Sequence, residues 1–106
     1  MNTSSENDIV EILEKITSVV SAWQSKRYKD LNEMNRVLLC NMYFLSQKQV
    51  EYNVQWNQEH YNCNETSDAA KKRVADRLVP ELYQCRKVME AAKGVSIGIG
   101  YELKMN

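Results

Sequence analysis

Apolar residues recur at Ile9, Ile12, Leu13, Ile16, Val19, Val20 and Trp23. This three- and four-residue spacing lines one face of an α-helix. Ser4 or Ser5 is placed to cap that helix, with Asp8 three residues after Ser5 in capping-box spacing. The stripe weakens across Gln24-Ser25-Lys26-Arg27-Tyr28-Lys29, then resumes at Leu31, Met34, Leu38, Met42 and Leu45, where Asp30 and Glu33 offer a second cap. A bend near residues 25–30 is expected. No Gly or Pro enforces it, so one continuous helix from Glu6 to Tyr61, about 80 Å long at the usual helical rise, stays open as the alternative. A helix of that length needs a second helix or another subunit along its apolar face.

From Val50 the pattern has two readings. Val50, Tyr52, Val54 and Trp56 alternate with polar residues as in a strand, yet Leu45, Tyr52 and Trp56 also fit helical spacing, and helix is the reading adopted. The stretch Tyr61-Asn62-Cys63-Asn64-Glu65-Thr66 is the best loop in the chain, because Asn favours turns and Thr66 or Ser67 can cap the next helix. A heptad comes next, with Ala75, Leu82 and Met89 at one core position and Leu78, Cys85, Ala92 and Ile99 at the other. Pro80 interrupts it, lacking a backbone donor, and either kinks the helix or starts a new one after Val79. Beyond Gly94, the residues Val95, Ile97, Ile99, Tyr101, Leu103 and Met105 alternate with polar or small ones, as in a strand-like tail that would need a partner strand. The rival is a helix running on through Gly94 and Gly98, whose bare backbone lets another helix approach; the scarcity of strands elsewhere favours it.

These elements predict an all-α fold, a long antiparallel helical hairpin or small helical bundle kinked at Pro80, with a short strand-like tail after Gly94 as the alternative ending. The chain is read as one domain over 1–106: helical over 6–61, a loop at 62–66, helical over 67–93, and a tail at 94–106. Its 106 residues leave room for one core, and 43% hydrophobic with 26% charged residues is the composition of a folded chain. Three glycines and one proline are too few for the repeated tight turns of a β-sandwich.

The N-terminal stretch is polar and acidic, without the basic and apolar regions of a secretory signal, and no apolar run approaches the ~18 residues of a membrane span. A cytoplasmic protein with no membrane partner is expected. Cys40, Cys63 and Cys85 are then free thiols, two of them on apolar faces.

The search for chemistry finds little. His60 and Cys63 form half of a zinc site that would need Cys40 and Cys85 to converge from two helices, without the paired short spacings of most such sites. No metal and no cofactor are expected. A Cys-His nucleophile pair lacks oxyanion donors and an orienting carboxylate in any recognisable order. The run Gly94–Gly100 lacks the lysine and preceding strand of a phosphate loop. The chain is expected not to be an enzyme.

Basic residues interleaved with aromatics remain as a means of holding single-stranded nucleic acid by charge and stacking. Lys26, Arg27, Tyr28 and Lys29 form one such cluster, and Lys71, Lys72, Arg73 and Arg77 form another. Between Lys71 and Lys93 there are seven basic and three acidic residues. Against this stand a formal net charge of zero and the ordinary role of such runs as solvated helix faces. Tyr43, Tyr52, Trp56 and Tyr61 are read as packing residues or as a stripe for a partner helix.

A long Gln- and Asn-rich helix carrying Leu31-Asn32-Glu33-Met34, an Asn-rich turn, and Ser67-Asp68-Ala69-Ala70-Lys71-Lys72-Arg73-Val74-Ala75-Asp76 opening a second helix resemble small phage-encoded helical proteins, the tailed-phage recombination mediators among them. The resemblance spans residues 20–93 in architecture and composition. It implies an oligomeric helical protein that binds single-stranded DNA and helps load a recombinase. The alternative function is a protein–protein interaction module, such as an inhibitor of a host defence complex or an assembly chaperone. That alternative calls for an exposed apolar or acidic face. Either way, apolar stripes that a simple hairpin would leave half uncovered predict a homo-oligomer.

Overall fold

The computed structural model describes residues 5–105, with side chains described over 9–105. Among these residues there are four α-helices and no strand: α1 (Ser5–Gln24), α2 (Leu31–Asn62), α3 (Asp68–Leu78) and α4 (Pro80–Met105). The cap proposed from Ser4, Ser5 and Asp8 lies outside the described side chains.

The weak stretch after α1 is a full reversal, so the continuous helix from Glu6 to Tyr61 does not form. Lys26 adopts φ 57°, its N–H donates to the Trp23 carbonyl at 3.2 Å, and the Arg27 N–H donates to the Ala22 carbonyl at 2.8 Å. That pair of bonds is the Schellman ending usually built on glycine, here with a lysine in the left-handed region. Asp30 then caps α2 by accepting from the Glu33 N–H at 3.2 Å. The second loop is as expected: Ser67 caps α3 by accepting from the Ala70 N–H.

α1 and α4 lie against one side of the first two-thirds of α2. Ile9, Ile12, Ile16 and Val19 of α1, Met34, Leu38 and Leu45 of α2, and Cys85, Met89, Ala92, Val95 and Ile99 of α4 make a single core. The one buried polar side chain described, Asn41, donates back to the Val37 carbonyl at 2.8 Å and so enters the core satisfied.

Pro80 opens α4 after Val79, where its missing N–H costs nothing. The break shifts the helical phase. Ala75, Leu82, Cys85, Met89, Ala92 and Ile99 are buried as the heptad predicts, but Leu78 is exposed and Val79 takes its place inside. The strand-like tail after Gly94 is not formed, and the helical stretch expected to end at 93 runs on to Met105. The reason is lateral. Ala92, Val95 and Ile99 point into the core, Leu103 packs on its edge, and Gly98 gives its bare surface to the Trp23 ring, whose Cζ2 lies 2.7 Å from where a β-carbon would stand.

The last third of α2 has only α3 beside it. The molecule is consequently long and flat, 56 × 35 × 19 Å. Its radius of gyration is 16.8 Å, against about 13 Å for a compact domain of this length.

Candidate functional site

α2 has 32 residues and is about 48 Å long at the usual rise. It separates the two basic clusters. Lys26, Arg27, Tyr28 and Lys29 belong to the turn at its N-terminal end, while Lys71, Lys72, Arg73 and Arg77 ride on α3 beside its C-terminal end. No single basic face results.

Each cluster is also spoken for locally. Tyr28 stacks on Trp23 with ring centroids 5.6 Å apart and planes at 14°, and is half-buried against the core, so one face of its ring is taken. Lys29 shares a shallow groove with Asp30 and Glu102. On α3, Lys72 pairs with Asp68 at 3.3 Å, and Arg77 lines a groove with Glu59 and Glu65. Glu59, Glu65, Asp68 and Asp76 thus lie on or beside α3 with its four basic residues, and Lys72 with Asp68 is the ion pair among them. Two of these carboxylates come from the end of α2 and the loop, and a count along the sequence after Lys71 does not see them.

The contact of α3 with α2 is largely polar. The Trp56 indole Nε1–H donates to Asp76 Oδ1 at 2.8 Å. His60 stacks on Trp56 at 5.2 Å, and its Nε2 lies 3.1 Å from Asp68 Oδ1. Hydrogen bonds from Lys72 and then His60, together with the Lys72 charge, hold the Asp68 carboxyl below its ordinary value. These residues fasten one helix to another and enclose no cavity.

His60 and Cys63 stay on the loop end of α2, Cys40 is exposed near its other end, and Cys85 is buried. Of the two thiols expected on apolar faces, only Cys85 is inside. Among the described residues no group of three or more potential ligands could hold a metal ion. Burial, reinforced by the Glu81 carboxylate, pushes the Cys85 thiol up to about 11, which keeps it protonated and inert at neutral pH. Among the described residues no helix is long and apolar enough to cross a membrane.

The surface that stands out is the side of α2 turned away from the bundle. Leu39, Tyr43, Val50, Val54 and Tyr61 are 47%, 61%, 64%, 51% and 85% exposed. At about 100° per residue they fall within about 60° of arc, opposite Leu38 and Leu45, and run about 33 Å along the helix. Leu39, Tyr43 and Val50 continue into a groove of about 510 Å³ against Met89 and Lys93 of α4. Of the aromatics read as packing residues or as a stripe for a partner helix, Tyr43 and Tyr61 are on the open side, while Tyr52 and Trp56 are half-buried.

The composition around this stripe is as telling as its exposure. Between Val37 and Gln58 the only charged residues are Lys48 and Glu51, which pair with each other at 3.7 Å on the rim. The remaining polar residues on the open side are Ser, Asn and Gln. A solvated helix face ordinarily carries Lys and Glu; Tyr enrichment with charge depletion is the composition of an interface core. The signal is present in the sequence as a helix with apolar residues on both sides and a 22-residue stretch almost free of charge. In comparisons with known proteins, the chain matches no family model, no curated protein and no solved structure.

Proposed function

We propose that this chain is a non-catalytic interaction module that docks a protein through the outward face of α2. The observation that carries the reading is the stripe Leu39, Tyr43, Val50, Val54 and Tyr61 with its uncharged surroundings. Apolar side chains held in water over several helical turns forgo the stabilisation that covering them would give, and contiguous patches of this kind mark binding surfaces. An inhibitor of a host defence complex or an assembly chaperone would work in this way, by covering a partner's surface.

Single-stranded DNA binding, which the phage-mediator resemblance implies, is the second reading. What favours it is Arg73 and Arg77, four residues apart and exposed on α3. The neutral neighbourhood of α3 and the distance to the other basic cluster weigh against it.

Photo-crosslinking in cells separates the two. A photoreactive residue at Val54 is expected to trap a protein, and one at Arg73 to trap none. Adducts from Arg73 alone would overturn the docking reading. So would salt-sensitive binding of a labelled oligonucleotide that disappears on substituting Arg73 and Arg77 by Ala.

A further inference from the structure

We infer that the protein docked on α2 is a second copy of this chain, paired antiparallel about a two-fold axis. The inference rests on the docking reading above and adds the occupant.

Symmetry of the stripe is the first argument. Within the stripe, Tyr43, Val50, Val54 and Tyr61 succeed one another at intervals of seven, four and seven residues, so these four read the same from either end, with Leu39 lying outside the symmetric set. An isologous interface requires that residue i meet j while j meets i. Laying a second α2 antiparallel on the first sets Tyr43 against the partner's Tyr61 and Val50 against the partner's Val54, each pair occurring twice. In the same register Gln47 faces the partner's Asn57, and Ser46 faces its Gln58, so side chains able to donate and accept meet their like between the apolar pairs.

Charge is the second argument. Close to a two-fold axis every residue lies near its own copy, and any charge there meets its like. The centre of the stripe carries none, Glu51 is held to the rim by Lys48, and the formal net charge of the chain is zero, so two copies approach without repulsion.

Area is the third. The chain exposes 7505 Å², whereas a compact monomer of its mass exposes about 6,100 Å². The surplus, about 1,400 Å² over the whole flat chain, lies in the direction expected of a protomer, since each partner in a standard stable interface covers roughly 800 Å².

Light scattering and sedimentation equilibrium on the full chain test this. The wild type is expected at twice the 12.4 kDa chain mass at micromolar concentration. Val50→Glu should weaken self-association by at least about 100-fold, since it buries a charge against apolar groups, with the helical circular dichroism unchanged because Val50 is exposed within one copy. Ile97→Glu, the same change on the outward side of α4, should leave the dimer intact. Mixing the Val50→Glu chain with a Val54→Lys chain should restore association, because the register brings positions 50 and 54 together. A wild type that stays at 12.4 kDa up to hundreds of micromolar overturns the second copy, as does a Val50→Glu dimer as tight as the wild type or a mixture that fails to associate. In the first case a Val54 crosslink to another protein leaves the docking reading standing; loss of that crosslink as well removes both.

Discussion

The two ends of α2 are held by different physics. Over its first two-thirds, Ile16, Leu38, Leu45, Cys85 and Ile99 are fully enclosed between three helices, and the side chains meeting there are almost all apolar. Over its last third, α3 buries only Ala75 and relies on Trp56 with Asp76 and His60 with Asp68, both at the surface, while Lys72 pairs with Asp68 within α3 itself. Apolar burial is indifferent to pH and salt and sets the global stability. Surface polar contacts are individually small and depend on both. The bundle end is thus the scaffold, and the α3 end is the part that opens first.

Removing a side chain from each end gives the largest test of that contrast. Leu38→Ala leaves a cavity under three helices and is expected to cost about 3–4 kcal/mol, roughly 15–25 °C in Tm for a domain of this size. Val74→Ala, on the half-buried side of α3, should cost about 1 kcal/mol. Equal losses in thermal melts of the two variants would erase the distinction between scaffold and latch.

Two glycines of α4 sharpen the comparison within the bundle end itself. At Gly98 a methyl group would collide with the Trp23 ring, whereas at Gly94 it would meet nothing within 4 Å. Gly98→Ala is expected to destabilise by about 1–3 kcal/mol, as overpacking does. Gly94→Ala should stabilise by about 0.5–1 kcal/mol, the ordinary gain of Ala over Gly in a helix interior. Urea midpoints moving in opposite directions are the expected result; a Gly98→Ala variant as stable as the parent would mean that Trp23 is not held against α4.

What can be read from the chain divides along the same physical lines. The helices, their inward faces, the Ser67 cap and the new start at Pro80 are legible, because burial at helical spacing and the missing proline N–H act locally. The break after α1 is legible in the weakening stripe and the Asp30 cap, but its sharpness is not, since the left-handed residue that reverses the chain is Lys26 where glycine is the usual choice. A heptad running on through Pro80 places Leu78 in the core, whereas the break rotates the next helix and admits Val79. The sequence leaves open whether Tyr43 and Tyr61 pack within the chain or line a stripe for a partner, because periodicity shows that α2 is apolar on two sides but not which side has neighbours. Lys71, Lys72, Arg73 and Arg77 look like a basic patch in sequence because the groove that Glu59 and Glu65 share with Arg77 forms only in the fold.

The smallest expected effect lies in acid and belongs to the latch alone. The Asp68 carboxyl is held low by Lys72 first and His60 second, so its folded value lies below that of the unfolded chain, about 3.9 for an ordinary Asp. A group lowered by folding favours the folded state above its unfolded value, and that contribution is lost as pH falls through the folded one. Between neutral pH and about pH 5, Asp68 therefore gives α3 its full support, and below about pH 4 the support fades. Asp68 is fully exposed, so the effect is screened and confined to the α2–α3 contact. Hydrogen exchange of the α3 amides should accelerate below about pH 4, relative to the intrinsic rate, while amides near Leu38 and Ile99 keep their protection. Asp68→Asn should show the faster α3 exchange already at neutral pH and lose most of its further acceleration in acid. If the α3 amides of the parent stay as protected at about pH 3 as at about pH 6, the carboxylate is not what fastens this helix, and the Trp56 bond to Asp76 together with Ala75 would have to hold it.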